Sequence, residues 1–268
     1  MEKNISMDFK LKDRVAIIGG SSKGLGKACA VSLAKEGVNI VLCARNEEAL
    51  LETQKVIEGY GVETLALSVD MSSAEDNEMI VKETIERFGR IDILVNNSGG
   101  PTPGSLNELS MEDFDEAYKG VLRYNINMIK LCLPYMEKRE WGRIVNITSV
   151  SVKEPMPTMV LSNIFRIAVV SFAKSISKEL MGKGITINNV CPGYFRTDRI
   201  TQLMEKEASD ASISVQEYEE EVVSAFPHKR FMSPDELGDM VTYLCSAQAR
   251  SITGTTLQID GGVNRGLM

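Results

Sequence analysis

The sequence predicts an α/β fold, a single-domain doubly wound parallel sheet of about seven strands with helices on both faces. Three observations carry this expectation. Short β-rich runs alternate with longer helical patterns along the chain, the pattern of a parallel sheet covered on both sides. The runs Val15-Ala16-Ile17-Ile18 and Ile91-Asp92-Ile93-Leu94-Val95 are almost continuously apolar, as strands buried on both faces must be. Gly20-Ser21-Ser22-Lys23-Gly24-Leu25-Gly26 stands directly between the first strand and the first helix, the context in which a glycine-rich turn has meaning.

The elements follow in order. Residues 14–19 form the first strand. The next helix spans 24–36, with apolar spacing at Leu25, Ala28, Cys29 and Leu33, and ends at Gly37, a residue suited to the position after a helix. Residues 38–44 are the second strand. Asn46 caps the following helix, with Glu47 and Glu48 in its first turn, where carboxylates oppose the positive helix end. Residues 63–69 are a third strand, Ser72 and Ser73 open a helix to about residue 88, and 91–96 are a fourth strand. A Pro-, Gly- and Ser-rich loop covers 101–110. Ser110 and Asp113 match a loose capping box, opening a long helix to about residue 140. Then come a strand at 142–149, a helix at 158–181, a strand at 185–191, a helix at 234–246 and a last strand at 255–259. Crossovers are expected to be right-handed. No repeat or linker divides the chain, so residues 1–268 are expected to form one domain. Residues 196–229 are an unusual charged insert, Glu-rich at 217–221. They are either a solvated helical excursion or a substrate lid, the second because such segments cover the carboxyl edge of the sheet.

Composition narrows the function classes. With 268 residues, 43% of them apolar and 25% charged, the chain is large enough to bury a core without staples. A net charge of −7 speaks against non-specific nucleic-acid binding. The five cysteines, Cys29, Cys43, Cys132, Cys191 and Cys245, contain no C-x-x-C pair and read as reduced core residues. His228 is the only histidine, which excludes a His-based metal site or triad. No apolar run was expected to reach the roughly 18 residues of a membrane span. The polar N-terminal segment lacks a signal-peptide core, so the expected location is the cytoplasm and no membrane is implied.

The glycine turn has a specific chemistry. Its backbone N–H groups can approach a pyrophosphate, and the helix N-terminus behind it favours the anion. The second strand ends Cys43-Ala44-Arg45 with no acid to take a ribose 2′-hydroxyl. Arg45 instead offers a planar fork for a 2′-phosphate, and Lys23 adds a second cation. The expected cofactor is therefore NADP(H).

The spacing G-x-x-x-G-x-G is wider than the usual dinucleotide fingerprint and resembles the short-chain dehydrogenase/reductase family, whose fold is of the Rossmann type. Asn96-Asn97-Ser98-Gly99 is similar to that family's N-N-A-G, and Pro192-Gly193 with Thr197 to its P-G-x-x-x-T. Ile252-Thr253-Gly254 leading to Asp260-Gly261-Gly262 is similar to its C-terminal segment. The likeness covers residues 10–263 and is nearest to the 3-oxoacyl-acyl-carrier-protein reductases. One departure is Gly19, where the family commonly has Thr. The resemblance implies that Gly20, Ser22, Lys23, Gly24, Leu25, Gly26 and Arg45 hold the cofactor. Asp70 would take the adenine amino group, Asn97 and Gly99 the adenosine ribose. Pro192, Gly193 and Thr197 would lie at the nicotinamide end, Thr197 at the carboxamide.

The family's catalytic set is a Ser, a Tyr, a Lys one turn on, and an Asn that holds a relay water. Ser149 supplies the Ser, while the Tyr and Lys positions fall on Ser162 and Arg166. The Asn position falls near Val121, with Asn125 one turn later. Serine is a far weaker acid than a tuned tyrosine. Arginine stays charged and cannot donate its proton. Arg166 can still stabilise an oxyanion, grip a substrate carboxylate, or take the ribose. A water held by Ser149 and Ser162 can deliver the proton, and Lys153 and Tyr194 are further candidates near the same sheet edge. The expected function is an NADPH-dependent oxidoreductase, a reductase of a carbonyl-type small molecule or acyl thioester with non-standard catalytic residues. The alternative is a catalytically impaired NADP(H)-binding sensor or partner subunit. The helices at 111–140 and 158–181 carry apolar positions beyond one sheet face, and in the resembled family they pair with their mates. A homodimer or homotetramer is expected.

Overall fold

In the computed structural model, described here for residues 7–266, seven strands form one sheet. They are β1 (Val15–Gly19), β2 (Asn39–Ala44), β3 (Thr64–Ser68), β4 (Ile93–Asn96), β5 (Gly142–Ile147), β6 (Ile185–Pro192) and β7 (Thr256–Ile259). Every pairing is parallel and the order is β3-β2-β1-β4-β5-β6-β7. The order reverses between β1 and β4, so the crevice outside their carboxyl ends is where a ligand belongs. The expected doubly wound sheet is the observed one.

The helices cover both faces. α1 (Gly24–Lys35) and α9 (Pro234–Cys245) lie on one face, where Leu33, Leu237 and Val241 meet Ala16 and Ile18. α3 (Ala74–Phe88), α5 (Tyr124–Glu137) and α6 (Val160–Met181) lie on the other, where Ile80, Met128 and Ala173 meet Ile17 and Leu94. α2 (Glu47–Glu58) flanks β2 and β3. Local chemistry sets the starts. Asn46 accepts from Ala49 N–H at 2.9 Å and Ser73 from Asp76 N–H at 3.1 Å. Ser110 and Asp113 form the expected reciprocal box at the start of α4 (Met111–Ala117).

Two expectations need correction. The single helix expected over 111–140 is α4, a π-helical turn at Tyr118–Arg123, and α5 ending at Glu137. The widened turn displaces carbonyls from the regular ladder, and the buried Asn125 side chain donates to Val121 O at 2.7 Å to satisfy one of them. The second correction concerns α6, which is long and apolar enough to cross a membrane by length and composition. Its inner residues Leu161, Val169, Ala173 and Leu180 are buried within the protein, where the helix packs on β6.

Residues 196–229 contain α7 (Asp198–Ala211) and α8 (Val215–Ser224). They enclose a small apolar cluster of Met204, Phe226 and Phe231, with Tyr194 packed against it. All five cysteines are free and buried. Burial pushes the Cys132 and Cys245 thiols up to about 12, so they are inert core groups.

An asparagine ladder fixes the register of the sheet near the site. Asn96 donates to Asn146 and Asn146 to Asn189, each at 3.0 Å, across β4, β5 and β6. These amides are buried; Asn146 both donates and accepts within the ladder, while Asn96 Oδ1 has no partner among the described residues.

Candidate functional site

The cofactor half is built at the β1 carboxyl end. Gly20 and Gly24 both have φ +56°, a left-handed backbone that favours glycine. A Cβ on Gly26 would run into the Gly20 carbonyl and stand 2.8 Å from Asn97 Nδ2. The loop is fastened from three sides. Cys43 N–H donates to Ser21 Oγ at 2.9 Å, Thr53 Oγ1 donates to Ser22 O at 2.8 Å, and Asn97 Nδ2 donates to Gly19 O at 3.0 Å. Asn97 thus braces the loop with its side chain, a role the motif alone did not indicate.

The first turn of α1 fits a bound phosphate. Lys23, at its N-cap, makes no capping hydrogen bond, and the turn holds no acid. By contrast α2, α3, α4 and α8 have their first N–H groups capped by Asn or Ser side chains. Uncapped N–H groups on a glycine turn are donors for an anion. Arg45 is exposed at the end of β2. Its charge adds to the Ser72 N–H and hydroxyl, which hold the Asp70 carboxyl below its usual range. Lys23 forms an exposed ion pair with Asp198 at 3.0 Å. Thr197 caps α7, and its methyl lies 3.5 Å from where a Gly24 Cβ would stand, so Thr197 sits over the glycine loop. Pro192 ends β6, and Gly193 packs under Asp260 where a Cβ would collide. Space is open around Gly99.

Gly19 has a physical reason. A Cβ there would strike Asn97 O and Tyr124 Oη and approach Met71 Cε to 3.2 Å. Tyr124 is wholly buried, and its hydroxyl has no hydrogen-bond partner among the described residues. Burial drives that phenol well above its ordinary range. A tyrosine in α5 therefore occupies the room a threonine side chain would need.

The second half of the site lies at the end of β5. Ser149 is half-buried, and its Oγ accepts from Ser151 N–H at 3.1 Å. Ser162 is buried and lies 3.2 Å from Ser151 Oγ. Ser162 therefore meets Ser151 directly. The short turn at Val150–Val152 brings Ser151 onto α6. Ser151 was not singled out from sequence, because its place two residues beyond Ser149 depends on that turn. Arg166 Nη1 donates to Ile147 O at 3.0 Å and Thr148 O at 2.9 Å, capping the end of β5. Burial and the nearby Arg199 charge pull Arg166 down to about 10, which leaves it cationic at neutral pH.

Burial and Glu154 raise the Tyr194 phenol, whose ring stacks on Phe226 at 4.9 Å. Burial also raises the Cys191 thiol, which touches Thr148 Oγ1 at 3.1 Å. Asn125 directs its amide to Val121 O and leaves a buried, unpartnered Oδ1. No cluster of three His, Cys, Asp or Glu side chains is placed to hold a metal among the described residues.

A doubly wound sheet, a glycine cradle before an uncapped helix, and a serine and an arginine near the end of β5 fit a dinucleotide-dependent oxidoreductase class. Residues 20–264 match the family model described as enoyl-(acyl carrier protein) reductase, and the chain belongs to the short-chain dehydrogenase/reductase family. It is 33% identical over 253 residues to a putative ketoacyl reductase of Streptomyces coelicolor, covering 93% of this chain and 96% of that protein. It is 32% identical over 254 residues to the NADPH-dependent reductase BacG of Bacillus subtilis, covering 94% and 98%. Among solved structures, L-sorbose reductase from Gluconobacter frateurii, complexed with NADPH and L-sorbose, superposes with a TM-score of 0.93. That match has 30% identity and covers 97% of this chain and all of that one.

Proposed function

We propose that the chain is an NADPH-dependent reductase of a small carbonyl compound or acyl thioester, with Ser149, Ser162 and Arg166 at its reacting centre. The observation that carries this reading is the place of Arg166, a cation held by two strand-end carbonyls beside Ser149. A fixed positive charge there stabilises the oxyanion that hydride addition to a carbonyl creates. The glycine cradle, the uncapped α1 and Arg45 support NADP(H) as the cofactor, which supplies the hydride when bound. The three relatives described above match over nearly the whole chain and are reductases, which favours an enzyme over a sensor or partner subunit.

The remaining features belong to the same reading. Residues 196–229 act as a lid, since Thr197 and Asp198 already reach the glycine loop. The exposed Ile164 and Ile167 on α6 and Tyr118 before α5 support a homodimer or homotetramer. The five buried free thiols support a cytoplasmic location. NADPH oxidation on a panel of ketones, oxoacyl thioesters, imines and enones tests the reading. Turnover on one class, cut about a hundredfold by Arg166→Ala, supports it; no turnover on any class rejects it. Light scattering at micromolar concentration tests the assembly, which a monomer would exclude.

A further inference from the structure

Between the short turn after Ser149 and the start of α6 the chain reads Lys153-Glu154-Pro155-Met156-Pro157-Thr158-Met159. Proline has a fixed φ and no N–H, so neither Pro155 nor Pro157 can donate to a neighbouring strand. Met156, between them, is the one residue there with both a donor and an acceptor, and Asn163 takes up both. Asn163 Nδ2 donates to Met156 O at 2.8 Å, and Asn163 Oδ1 accepts from Met156 N–H at 3.3 Å. One side-chain amide thus stands in for a strand neighbour. Asn163 is itself fixed in the first turn of α6, where its backbone N–H donates to Met159 O at 2.9 Å.

The residues beside Asn163 grip the same stretch of chain. Ser162 lies 3.2 Å from Ser151 Oγ, and Arg166, one turn on, holds the Ile147 and Thr148 carbonyls. The start of α6 therefore fastens the end of β5, the turn after Ser149, and Met156. On its other side the loop is bridged to the loop after β4. Gly104 N–H donates to Thr158 O at 2.7 Å, and Val160 N–H donates to Gly104 O at 3.3 Å. Glu154 accepts from Arg265 N–H at 3.5 Å, and its charge acts on Tyr194, whose ring packs against the apolar cluster of α7 and α8. Residues 153–159 thus lie between α6, the loop after β4 and the 196–229 segment, at the carboxyl ends of the strands where a ligand belongs.

A loop beside a crevice sets its width only if it holds its place. Connections of this kind open easily unless their backbone groups are bound, and here the one amide unit between two prolines is bound at both ends. We infer that Asn163 is a positioning residue, which pins residues 153–159 as a fixed wall of the substrate crevice and so limits the size of carbonyl compound the site admits. This rests on the reductase reading and adds the element that selects among its substrates.

The test uses full-length wild type, Asn163→Ala and Asn163→Asp. Alanine removes both bonds to Met156. Aspartate keeps an acceptor for Met156 N–H but sets a carboxylate against Met156 O, so it isolates the donated bond. Hydrogen exchange reports on the amides of residues 153–159. Steady-state kinetics are measured on methyl ketones of increasing bulk, and NADPH affinity by fluorescence titration. Both variants should exchange these amides about tenfold faster, with the central strands unchanged. KM should rise about tenfold, the equivalent of one ordinary hydrogen bond. The kcat on the smallest ketone should stay within about twofold, and NADPH affinity should not move. The ratio of kcat/KM between small and bulky ketones should shift toward one. Unchanged exchange in Asn163→Ala overturns the inference, as does an aspartate variant that matches wild type. So does faster exchange with KM and size preference intact, or an equal loss in kcat and NADPH affinity, which would mark general damage to the fold. These failures, with an active wild type, remove only the role of Asn163. A wild type inert on every ketone rejects the reductase reading, and the selection of its substrates with it.

Discussion

Replacing Gly19 by threonine restores the residue common in the family and should damage this member of it. The new Cβ would enter space held by Asn97 O and Tyr124 Oη, with Met71 Cε 3.2 Å away. Both near neighbours are constrained, one as backbone and one as a wholly buried ring. The chain must shift, and overpacking of this kind costs about 1–3 kcal/mol. The strain falls on Asn97, whose amide braces the glycine loop at 3.0 Å, so NADPH affinity should drop as well. Tyr124→Phe removes a buried hydroxyl with no partner among the described residues, so it should leave stability unchanged or raise it by up to about 1 kcal/mol. Combined with Gly19→Thr it opens part of the contested space. The double variant should therefore recover about 1 kcal/mol relative to the sum of the single changes, a coupling typical of residues in contact. Urea unfolding of the four proteins measures the cycle, and cofactor titration follows the loop. A harmless Gly19→Thr, or strict additivity with Tyr124→Phe, would refute the account of why glycine stands there.

Three further outcomes are expected. Arg45→Ala should weaken NADPH by about 1.5–3 kcal/mol, the value of a charge-assisted contact, and leave NADH unaffected; equal effects on both in fluorescence titration would remove Arg45 from the 2′-phosphate. The kcat profile should be flat from pH 6 to 8 on the active substrate class. Arg166 keeps its proton up to about 10, while Tyr194 and Cys191 are shifted upward, so their neutral forms persist and none of the three changes charge in that range. A limb inside the range would point to a donor other than these three. Ser162→Tyr alone should not yield ordinary ketone reduction, because arginine cannot do all that lysine does, whereas Ser162→Tyr with Arg166→Lys should. Ketone turnover by the double variant with an inert wild type would shift the balance to a binding protein.

The strands, the glycine cradle and the helix starts were legible because each rests on local chemistry. Alternation, an Asn or Ser before an acidic first turn, and a glycine run after an apolar strand are all readable within a dozen residues. The π turn at Tyr118–Arg123 was not legible, because it depends on a side chain, Asn125, turning back onto its own helix. The reason for Gly19 lay about a hundred residues away, in Tyr124. Ser151 was missed for the same cause. It acquires its neighbour only when the turn after β5 meets α6 at the sheet edge. The asparagine ladder did leave a signal, since Asn146 and Asn189 are amides inside apolar strands, a combination that calls for partners in adjacent strands.

On the proposed reading, Ser162 and Arg166 stand where the family has tyrosine and lysine, and that would change what the site contributes more than whether it contributes. Hydride addition to a carbonyl requires that the emerging oxyanion be stabilised and then protonated. Ser162 is buried against Ser151, and neither hydroxyl has an ionisable group as its hydrogen-bond partner, so the pair offers no acid near neutral pH. Arg166 offers charge and no proton. On that reading the site would stabilise anions and leave protonation to solvent. Such a division suits a substrate whose product anion is delocalised or short-lived, because protonation then need not accompany hydride transfer.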